Sequence, residues 1–450
     1  MFLKTTPQWV CAFVVGGILT AASVPVWSLY LSQAYKAAQE QDPRIRAARA
    51  GRDAAMERIP QARSQLLPSI TASAARYKND LDQIQKNVLG NEVPSSDRYI
   101  SYNQTLQLRQ PLYRKPLWDG LRQAGYIVED AQATLEREEQ ELATRVTGAY
   151  MEALLAQDAL TLAHKKQSVT TTQLDAAKKS FAAGNGTRTD VDEVQARLDM
   201  DDANVVSTRQ QLAQAKQQLE IIIAQPVANL ASVDTVRLPL LSPEPGSVEY
   251  WVSQAQAHSP EMRALQARVD SAQAEIEKAK GGHYPTLDAV AQLTRSASEN
   301  VTSPGSRYTN RTLGLQLNVP LFSGGYTQST VRQAVAELVR AQENLEAARR
   351  DLAVRVNVEY RGVSEGILKI RALEQAERSG EQLVKSSRRS HEVGSRSLLD
   401  VLNAEQQLQV TRRDLAEARY RYLLARVRLR ALAGEDIEQS IQEINGWLMQ

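Results

Sequence analysis

The sequence contains one long internal repeat, which limits the folds open to the chain. Pro43 and Pro260 lie 217 positions apart, and Leu106–Tyr113 matches Leu315–Phe322 at a spacing of 209. Beyond these segments the spacing settles at 210 and relates residues of the same type: Leu135 and Leu345, Leu142 and Leu352, Val146 and Val356, Tyr150 and Tyr360, Gly184 and Gly394, Asp190 and Asp400. The repeat predicts two copies of one unit, residues 29–232 and 248–435, joined by a Pro- and Ser-rich linker at 233–247 and followed by a tail at 436–450.

The first 28 residues differ from the rest of the chain. Lys4 precedes an apolar stretch from about Trp9 to Val24, and small residues follow near Ser28. This pattern predicts a cleaved export signal, with a retained N-terminal anchor as the alternative. The single cysteine, Cys11, lies within this segment and is not placed as a lipidation site. No later segment has the roughly 18 apolar residues of a membrane-spanning helix, so a membrane could be crossed only by strands.

In each copy the spacing of apolar residues changes along the chain in the same order, from a helical pattern to a strand pattern. A polar capping residue followed by proline, at Pro43 and Pro260, predicts helices that end at Pro68 and Pro285. Alternating apolar and polar residues then predict strands at about 68–78 and 99–110 in the first copy, and at about 286–296 and 308–319 in the second. Strands of about ten residues suit a tilted crossing of a bilayer. The connections, 79–98 and 297–307, are predicted to be polar loops, and a soluble hairpin in each copy is the alternative.

A long segment without internal proline follows each pair of strands, from about Leu121 to Ala183 and from about Val331 to Val393. A helix of such length would extend on the order of 90 Å. Apolar residues recur at sevens, as in a coiled-coil seam. A glycine ends each long helix and a second heptad helix follows, which predicts helical hairpins turning at 184–187 and 394–397. With 5% aromatic residues, the chain suits long packed helices better than a compact core.

Four predicted membrane strands per chain are too few to close a barrel, since the smallest bacterial barrels have about eight. An open sheet edge in lipid is prohibitive, so the barrel must be shared between chains. A dimer would supply eight strands and a trimer twelve, and only the larger ring would leave a bore.

The sequence resembles the TolC family of outer-membrane channel-tunnels from about Leu29 to Gly434. The segments that carry the resemblance are, in order, Ala62–Ile70, Gly282–Asp288, Val319–Gly325, Val393–Ala404 and Ala418–Leu424. The resemblance implies a mainly α fold with transmembrane β-strands, in which a homotrimer forms a 12-stranded β-barrel in the outer membrane that continues into a 12-helix α-barrel tunnel across the periplasm. It also implies a periplasmic adaptor and an inner-membrane ABC or proton-driven transporter as partners, contact with outer-membrane lipid, and export of proteins or small toxic compounds.

The resemblance also implies a gate at the inner end of the tunnel, where the helical hairpins turn. Arg396 and Asp400 match gate residues, with Asp400 of three chains forming an acidic ring, and Thr189 and Asp190 match their partners on the neighbouring hairpin. The chain departs from the family pattern at two positions. Asn403 stands where a second gate aspartate is expected, so cation blockade should be weaker.

His391 is the second departure from the family pattern, at a position where a tyrosine is expected. It would make closure pH-dependent if it reaches Asp190; otherwise it is an ordinary solvated residue at a helix end. The hairpin tips at Gly184 and Gly394 are the adaptor-contact positions implied by the resemblance, although glycine also ends helices for purely structural reasons.

Other chemistry is not indicated by the sequence. The four histidines have no metal-ligand spacing, no nucleophile motif or phosphate-binding loop is present, and no cofactor is expected. Lys and Arg total 54 against 52 Asp and Glu, which argues against nucleic-acid binding through bulk charge. The sequence therefore predicts an export duct and no enzyme, with a periplasmic coiled-coil adaptor or structural protein without a pore as the alternative.

Overall fold

The computed structural model describes residues 28–234, 238–298 and 306–448. The predicted signal segment falls almost entirely outside the described residues. The helices and strands are, in chain order, α1 (Leu31–Gln41), α2 (Pro43–Met56), α3 (Arg58–Ser64), β1 (Ser69–Lys86), β2 (Glu92–Tyr113), α4 (Lys115–Ala182), α5 (Arg188–Ile223), α6 (Val248–His258), α7 (Pro260–Lys280), β3 (Thr286–Ser298), β4 (Ser306–Asn318), α8 (Tyr326–Glu392), α9 (Leu398–Leu432) and α10 (Ile437–Gly446).

The four strands form one antiparallel sheet in the order β1-β2-β3-β4. Cross-strand partners share a face, and the register places Leu106 opposite Leu293 and Ala291 opposite Leu313. The alternate rows are polar, with Thr71 opposite Gln107. The sheet thus has one apolar and one polar face, and β1 and β4 are its edges.

The first strand pair is longer than predicted, and the predicted loop at 79–98 is wrong. Pairing continues from Asn79 with Tyr99 to Lys86 with Glu92. The turn is tight because the Asn87 side chain accepts hydrogen bonds from the backbone N–H groups of Leu89 and Asn91, both at 3.0 Å. Antiparallel pairing satisfies the backbone whatever the side chains are, so the strands continue where apolar alternation stops.

Two long helices begin at the same end of the sheet. α4 has 68 residues and starts just after β2, and α8 has 67 residues and starts shortly after β4. Each is roughly 100 Å long and turns back into a partner, α5 or α9. α4 packs along α5, α8 packs along α9, and α4 also contacts α9, so the two helical hairpins are neighbours. Among the described residues, none of the helices combines the length and apolarity needed to cross a bilayer.

The first predicted helix, which was expected to continue to Pro68, is broken. α2 ends at Met56 and α3 begins at Arg58, because Pro60 has no N–H to donate to the carbonyl of Met56 and its ring crowds that carbonyl. The tail at 436–450 contains α10, whose Ile437, Ile441 and Ile444 are buried. Their spacing lines one helical face, so α10 closes the core instead of hanging free.

The largest hydrophobic core lies partway along the long helices, where α1, the linker and α10 pack against α4 and α9. Tyr150 and Tyr422 are completely buried there. The Tyr150 hydroxyl is 2.9 Å from the Leu29 carbonyl oxygen and 3.0 Å from that of Ala231. These bonds fix the segment before α1 and the segment just before the linker to α4.

Candidate functional site

The turns of the two helical hairpins lie at the ends of the long helices farthest from the sheet, and they carry the predicted gate residues. Gly184 has φ of 77° and Gly394 has φ of 73°. After each glycine the next N–H bonds back to the helix: Asn185 to the carbonyl of Ser180 at 3.0 Å, and Ser395 to that of Ser390 at 2.8 Å. These conformations favour glycine because it lacks a Cβ. Both glycines therefore have a structural role before any partner is considered.

Two of the predicted gate residues, Asp190 and Asp400, take part in capping boxes at the starts of α5 and α9. Asp190 accepts from the N–H of Thr187 at 3.0 Å, while the Thr187 hydroxyl accepts from the N–H of Asp190 at 3.1 Å. At the second tip Asp400 accepts from the N–H of Ser397 at 3.1 Å and from its hydroxyl at 2.7 Å. The pattern Ser/Thr-x-x-Asp in the sequence is the signal that could have revealed these boxes.

The capping boxes change the acidity of both carboxyl groups. The side chain and then the backbone of Thr187 lower the pKa of Asp190, with a smaller contribution from His391. The hydroxyl and then the backbone of Ser397 lower the pKa of Asp400, and Arg396 adds to the effect. A carboxyl whose pKa is lowered by folding stabilises the folded state above its unfolded pKa, and this stabilisation is lost as pH falls through the folded pKa. Both carboxylates therefore remain charged at neutral and mildly acidic pH.

Arg396 and His391 lie close to each other at the second tip. Arg396 donates to the Ser387 hydroxyl at 3.0 Å, which turns its side chain back onto α8. His391 Nδ1 lies 3.1 Å from the carbonyl oxygen of Arg396, a contact that requires a proton on Nδ1. Within the described part of the chain, no hydrogen bond or ion pair joins His391 to Asp190, although the two are close enough for their charges to interact. Thr189 is exposed at the first tip.

Asn403 links the two hairpins within one chain. Its side-chain oxygen accepts from the Arg197 guanidinium at 2.8 Å, so α9 is joined to α5. A carboxylate at this position would form an ion pair with Arg197, whereas the amide forms only a hydrogen bond. Asn403 therefore makes a weaker contact between the hairpins than an aspartate would make at the same position.

Sequence reasoning missed the most connected polar residue near the tips, Glu405. Gln173 of α4 donates to both carboxylate oxygens of Glu405, at 2.9 and 3.1 Å, and Arg388 of α8 binds one of them at 2.6 and 2.9 Å. The Glu405 side chain is 14% exposed. We call Gln173, Glu405 and Arg388 the inter-hairpin bridge, because they join three helices of both hairpins. The seven-residue repeat of apolar residues gives no signal for this bridge, because the repeat reports contacts within one hairpin and the bridge depends on a third helix.

A second polar cluster lies inside the first hairpin. Asp201 is 3% exposed and forms an ion pair with Lys166 at 2.8 Å, while the Thr170 hydroxyl donates to it at 2.7 Å. Lys166 also donates to Gln406 of α9 at 2.6 Å. Buried ion pairs of this kind fix the register of a coiled coil at some cost in desolvation. No group of three or more potential metal ligands occurs among the described residues.

We predict that a pH response of the tips would depend on His391. We expect single-channel conductance to change between about pH 5.5 and about pH 7.5, where histidine changes charge, and we expect His391→Phe to remove this change. Asp190 and Asp400 are poor candidates because their lowered pKa values keep them charged across this interval. Planar-bilayer recordings of both proteins at both pH values test this, and equal responses would refute the role of His391.

Comparison with known proteins agrees with this architecture. The family model described as "Outer membrane efflux protein" matches residues 34–225 and 251–435. The chain is 33% identical to the alkaline protease secretion protein AprF of Pseudomonas aeruginosa, covering 95% of this chain and 89% of AprF. It is 31% identical to the outer membrane protein TolC of Vibrio cholerae, covering 96% and 97%.

Solved structures give the same result for the fold. The outer membrane protein VceC of Vibrio cholerae superposes with a TM-score of 0.78, covering 90% of this chain and 96% of VceC at 18% identity. Since the family model matches most of the sequence and both relatives match almost end to end, the chain belongs to the outer membrane efflux protein family, the TolC family of outer-membrane channels.

Proposed function

We propose that this outer-membrane export duct is completed by three copies of the chain. The observation that supports this most directly is the sheet: four strands with one apolar face, one polar face and two unpaired edges, β1 and β4. Such a sheet is unstable in lipid unless each edge pairs with another copy. Three copies supply twelve strands, which enclose a water-filled bore lined by the polar face.

The helical part continues the bore into the periplasm. α4, α5, α8 and α9 contribute four helices per chain, so three chains give twelve, and the two-copy pattern of the sequence makes the halves equivalent around the axis. Each long helix makes apolar contacts along only a narrow stripe, and the rest of its surface is polar. This pattern is expected when water lies on both sides of the helical barrel. The duct is passive in this proposal, and no catalytic step is assigned to it.

The hairpin tips form the gate in this proposal. Asp400 of each chain lines the constriction, and Asn403 joins the two hairpins of one chain. Arg396, His391, Thr189 and Asp190 lie at the same tips, where they would contact hairpins of neighbouring chains. The capping boxes of Asp190 and Asp400 support a gate of this kind because they keep each tip folded. Opening can then occur by separation of whole hairpins after a few charge-assisted bonds are broken.

A periplasmic adaptor docks at the tips and couples the duct to an inner-membrane ABC or proton-driven transporter. The first cargo class is secreted protein, by type I secretion, because AprF is named for alkaline protease secretion. The second cargo class is small toxic compounds removed by efflux, because the family is described as that of outer membrane efflux proteins. The alternative of an adaptor without a pore is set aside, because the matching family is that of the outer membrane proteins themselves.

Reconstitution tests the duct directly. Protein purified from outer membranes should run as a heat-resistant trimer in detergent and should conduct ions across planar bilayers. With Leu313→Arg and Leu315→Arg together, which place charges on the apolar face, assembly should fail, since each costs about 2–4 kcal/mol at the bilayer centre. The matched change on the polar face, Thr312→Arg with Gln316→Arg, should leave the channel intact. Soluble monomers without conductance would contradict the proposal.

Adaptor docking requires a test that spares the turns. Tryptophan at Gly184 or Gly394 would strain a backbone with positive φ, so loss of export would have two explanations. Asn185→Trp and Ser395→Trp instead add bulk at exposed neighbours. We expect both to abolish export in cells while trimers and conductance persist, whereas normal export would place the adaptor elsewhere.

A further inference from the structure

The apolar face of the sheet also carries a row of cations. The register aligns Arg76 with Tyr102, Tyr102 with Ala297, and Ala297 with Arg307. It likewise aligns Leu293 with Arg311 and Gln104 with Arg295. Because aligned residues share a face, these side chains lie on the same side as the leucines, together with Lys78. We call Arg76, Lys78, Arg295, Arg307 and Arg311 the cationic row.

The position of the row relative to the membrane follows from the helices. α4 and α8 leave the sheet after Tyr113 and Asn318, so these strand ends face the periplasm. The leucines at 287, 313, 315 and 317 occupy the half of the strands nearer those ends, while Leu293 lies level with Arg311. The cationic row begins at this level and extends toward the turn at 87–91. In an outer-membrane barrel, Arg307, Arg76 and Lys78 therefore lie nearest the headgroups of the outer leaflet. Arg295 and Arg311 lie deeper, and their long side chains extend toward the same headgroups.

The distribution of charge between the two faces is unusual. In the rows at 76–78, 100–104, 293–297 and 307–311, the apolar side carries five cations and no acidic residue. The bore side of the same rows is uncharged, with Tyr77, Ser101, Asn103, Thr294 and Asn310. Cations that served only solubility or ion selectivity would lie in the aqueous bore. Charge on the lipid side is unfavourable unless an interfacial anion neutralises it.

The arginines of the row are available to bind such an anion. Arg295, Arg307 and Arg311 are exposed and form no side-chain hydrogen bond or ion pair with any residue that the structure describes. Arg295 and Arg307 border a groove of about 460 Å³ whose walls include Tyr102 and Gln104. Arg76 lies over the Tyr102 ring at 5.4 Å, which orients it at the groove's edge. The groove therefore brings two free guanidinium groups together beside amphipathic side chains.

We propose that the cationic row binds the phosphate groups of phosphorylated glycolipid, lipopolysaccharide, in the outer leaflet. Guanidinium groups bind phosphate oxygens through paired hydrogen bonds, and the apolar band below the row contacts the acyl chains of the same lipid. Basic groups near a membrane surface attract anionic headgroups in this way. The inference rests on the proposed function only in requiring that the strands are inserted in the outer membrane.

The test is a binding titration on the intact purified protein in detergent. Lipopolysaccharide and the same lipopolysaccharide after enzymatic dephosphorylation are titrated against wild type and against Arg295→Gln/Arg307→Gln/Arg311→Gln. We expect intact lipopolysaccharide to bind the triple variant at least about tenfold more weakly than wild type, and dephosphorylated lipid to bind both proteins weakly. The triple Arg→Lys variant should bind with intermediate strength, because the charges remain but the paired hydrogen bonds of the guanidinium groups are lost.

A matched control removes the same charge elsewhere. Arg332→Gln/Arg361→Gln/Arg371→Gln changes three exposed arginines of α8 and should bind lipopolysaccharide like wild type. Equal binding by wild type and the strand variant, or undiminished binding of dephosphorylated lipid, would overturn the inference. Conductance in bilayers that lack lipopolysaccharide is recorded for every variant: channels without selective lipid binding would refute the cationic row alone, whereas absence of channels in wild type would refute the duct.

Discussion

Tyr150→Ala is expected to lower the free energy of unfolding by about 3–5 kcal/mol, the range for truncating a large buried aromatic side chain. Tyr150 of α4 is fully buried against the segments around Leu29 and Ala231. Its hydroxyl is within 3.0 Å of two backbone carbonyl oxygens, those of Leu29 and Ala231. Burial also raises the pKa of this tyrosine, so it remains a neutral donor throughout the accessible pH range. The alanine variant loses both the ring packing and the tether.

The control for this prediction is Tyr150→Phe, which keeps the ring and removes only the hydroxyl. It should cost about 1–3 kcal/mol, the cost of leaving buried carbonyl groups without a donor. Unfolding in urea, followed by circular dichroism at one fixed protein concentration, measures both variants, because oligomer stability depends on concentration. An alanine variant within 1 kcal/mol of wild type would mean that the segments around Leu29 and Ala231 do not depend on Tyr150.

Glu405→Ala is expected to favour the open channel, because it breaks the inter-hairpin bridge on both sides. Gln173 and Arg388 each lose a charge-assisted hydrogen bond. Since Arg388 is half exposed, we take about 1 kcal/mol for each contact after solvent screening. Together these would shift the ratio of open to closed states roughly 30-fold for the hairpins of each chain. The expected observation in planar bilayers is a larger mean conductance and a greater open fraction, without loss of the trimer.

The matched control is Glu417→Ala, further along the same helix. Glu417 forms its ion pair with Arg421 of α9 itself, so its removal leaves contacts between the hairpins intact. Its conductance should equal that of wild type. Glu405→Gln should be intermediate, because an amide can still accept from Gln173 but no longer pairs with Arg388 as an ion. A Glu405→Ala channel as closed as wild type would show that the bridge does not hold the gate.

The strands show what alternation in the sequence can and cannot predict. Leu313, Leu315 and Leu317 alternate with polar residues, as expected if one face contacts lipid and the other water in the proposed barrel. β3 and β4 accordingly lie near the predicted limits. Beyond Tyr102, both faces of β1 and β2 meet polar surroundings, so alternation disappears while backbone pairing continues. The extra length of the β1–β2 hairpin could therefore not be predicted from the spacing of apolar residues.

The residues at the hairpin tips show a similar contrast between features that depend on adjacent residues and features that depend on distant helices. Glycine and the following Ser/Thr-x-x-Asp pattern are local, so the turns and helix starts can be predicted from a few adjacent residues. The inter-hairpin bridge depends on how α9 is rotated relative to α4 and α8, and many polar residues on these helices look equivalent in sequence. The broken first helix has yet another cause. Pro60 breaks the first helix between α2 and α3. The corresponding helix of the second copy, α7, has no proline after its first turn and runs for 21 residues.

The difference in strand length has a mechanical consequence for the outer mouth of the duct. β2 pairs with β3 only from Tyr102 downward, and β1 is 18 residues long whereas β4 has 13. Above that level each β1–β2 hairpin has no strand beside it among the described residues. In a ring of three chains the β1–β2 hairpins would then extend outward as three separate projections above the described ends of β3 and β4.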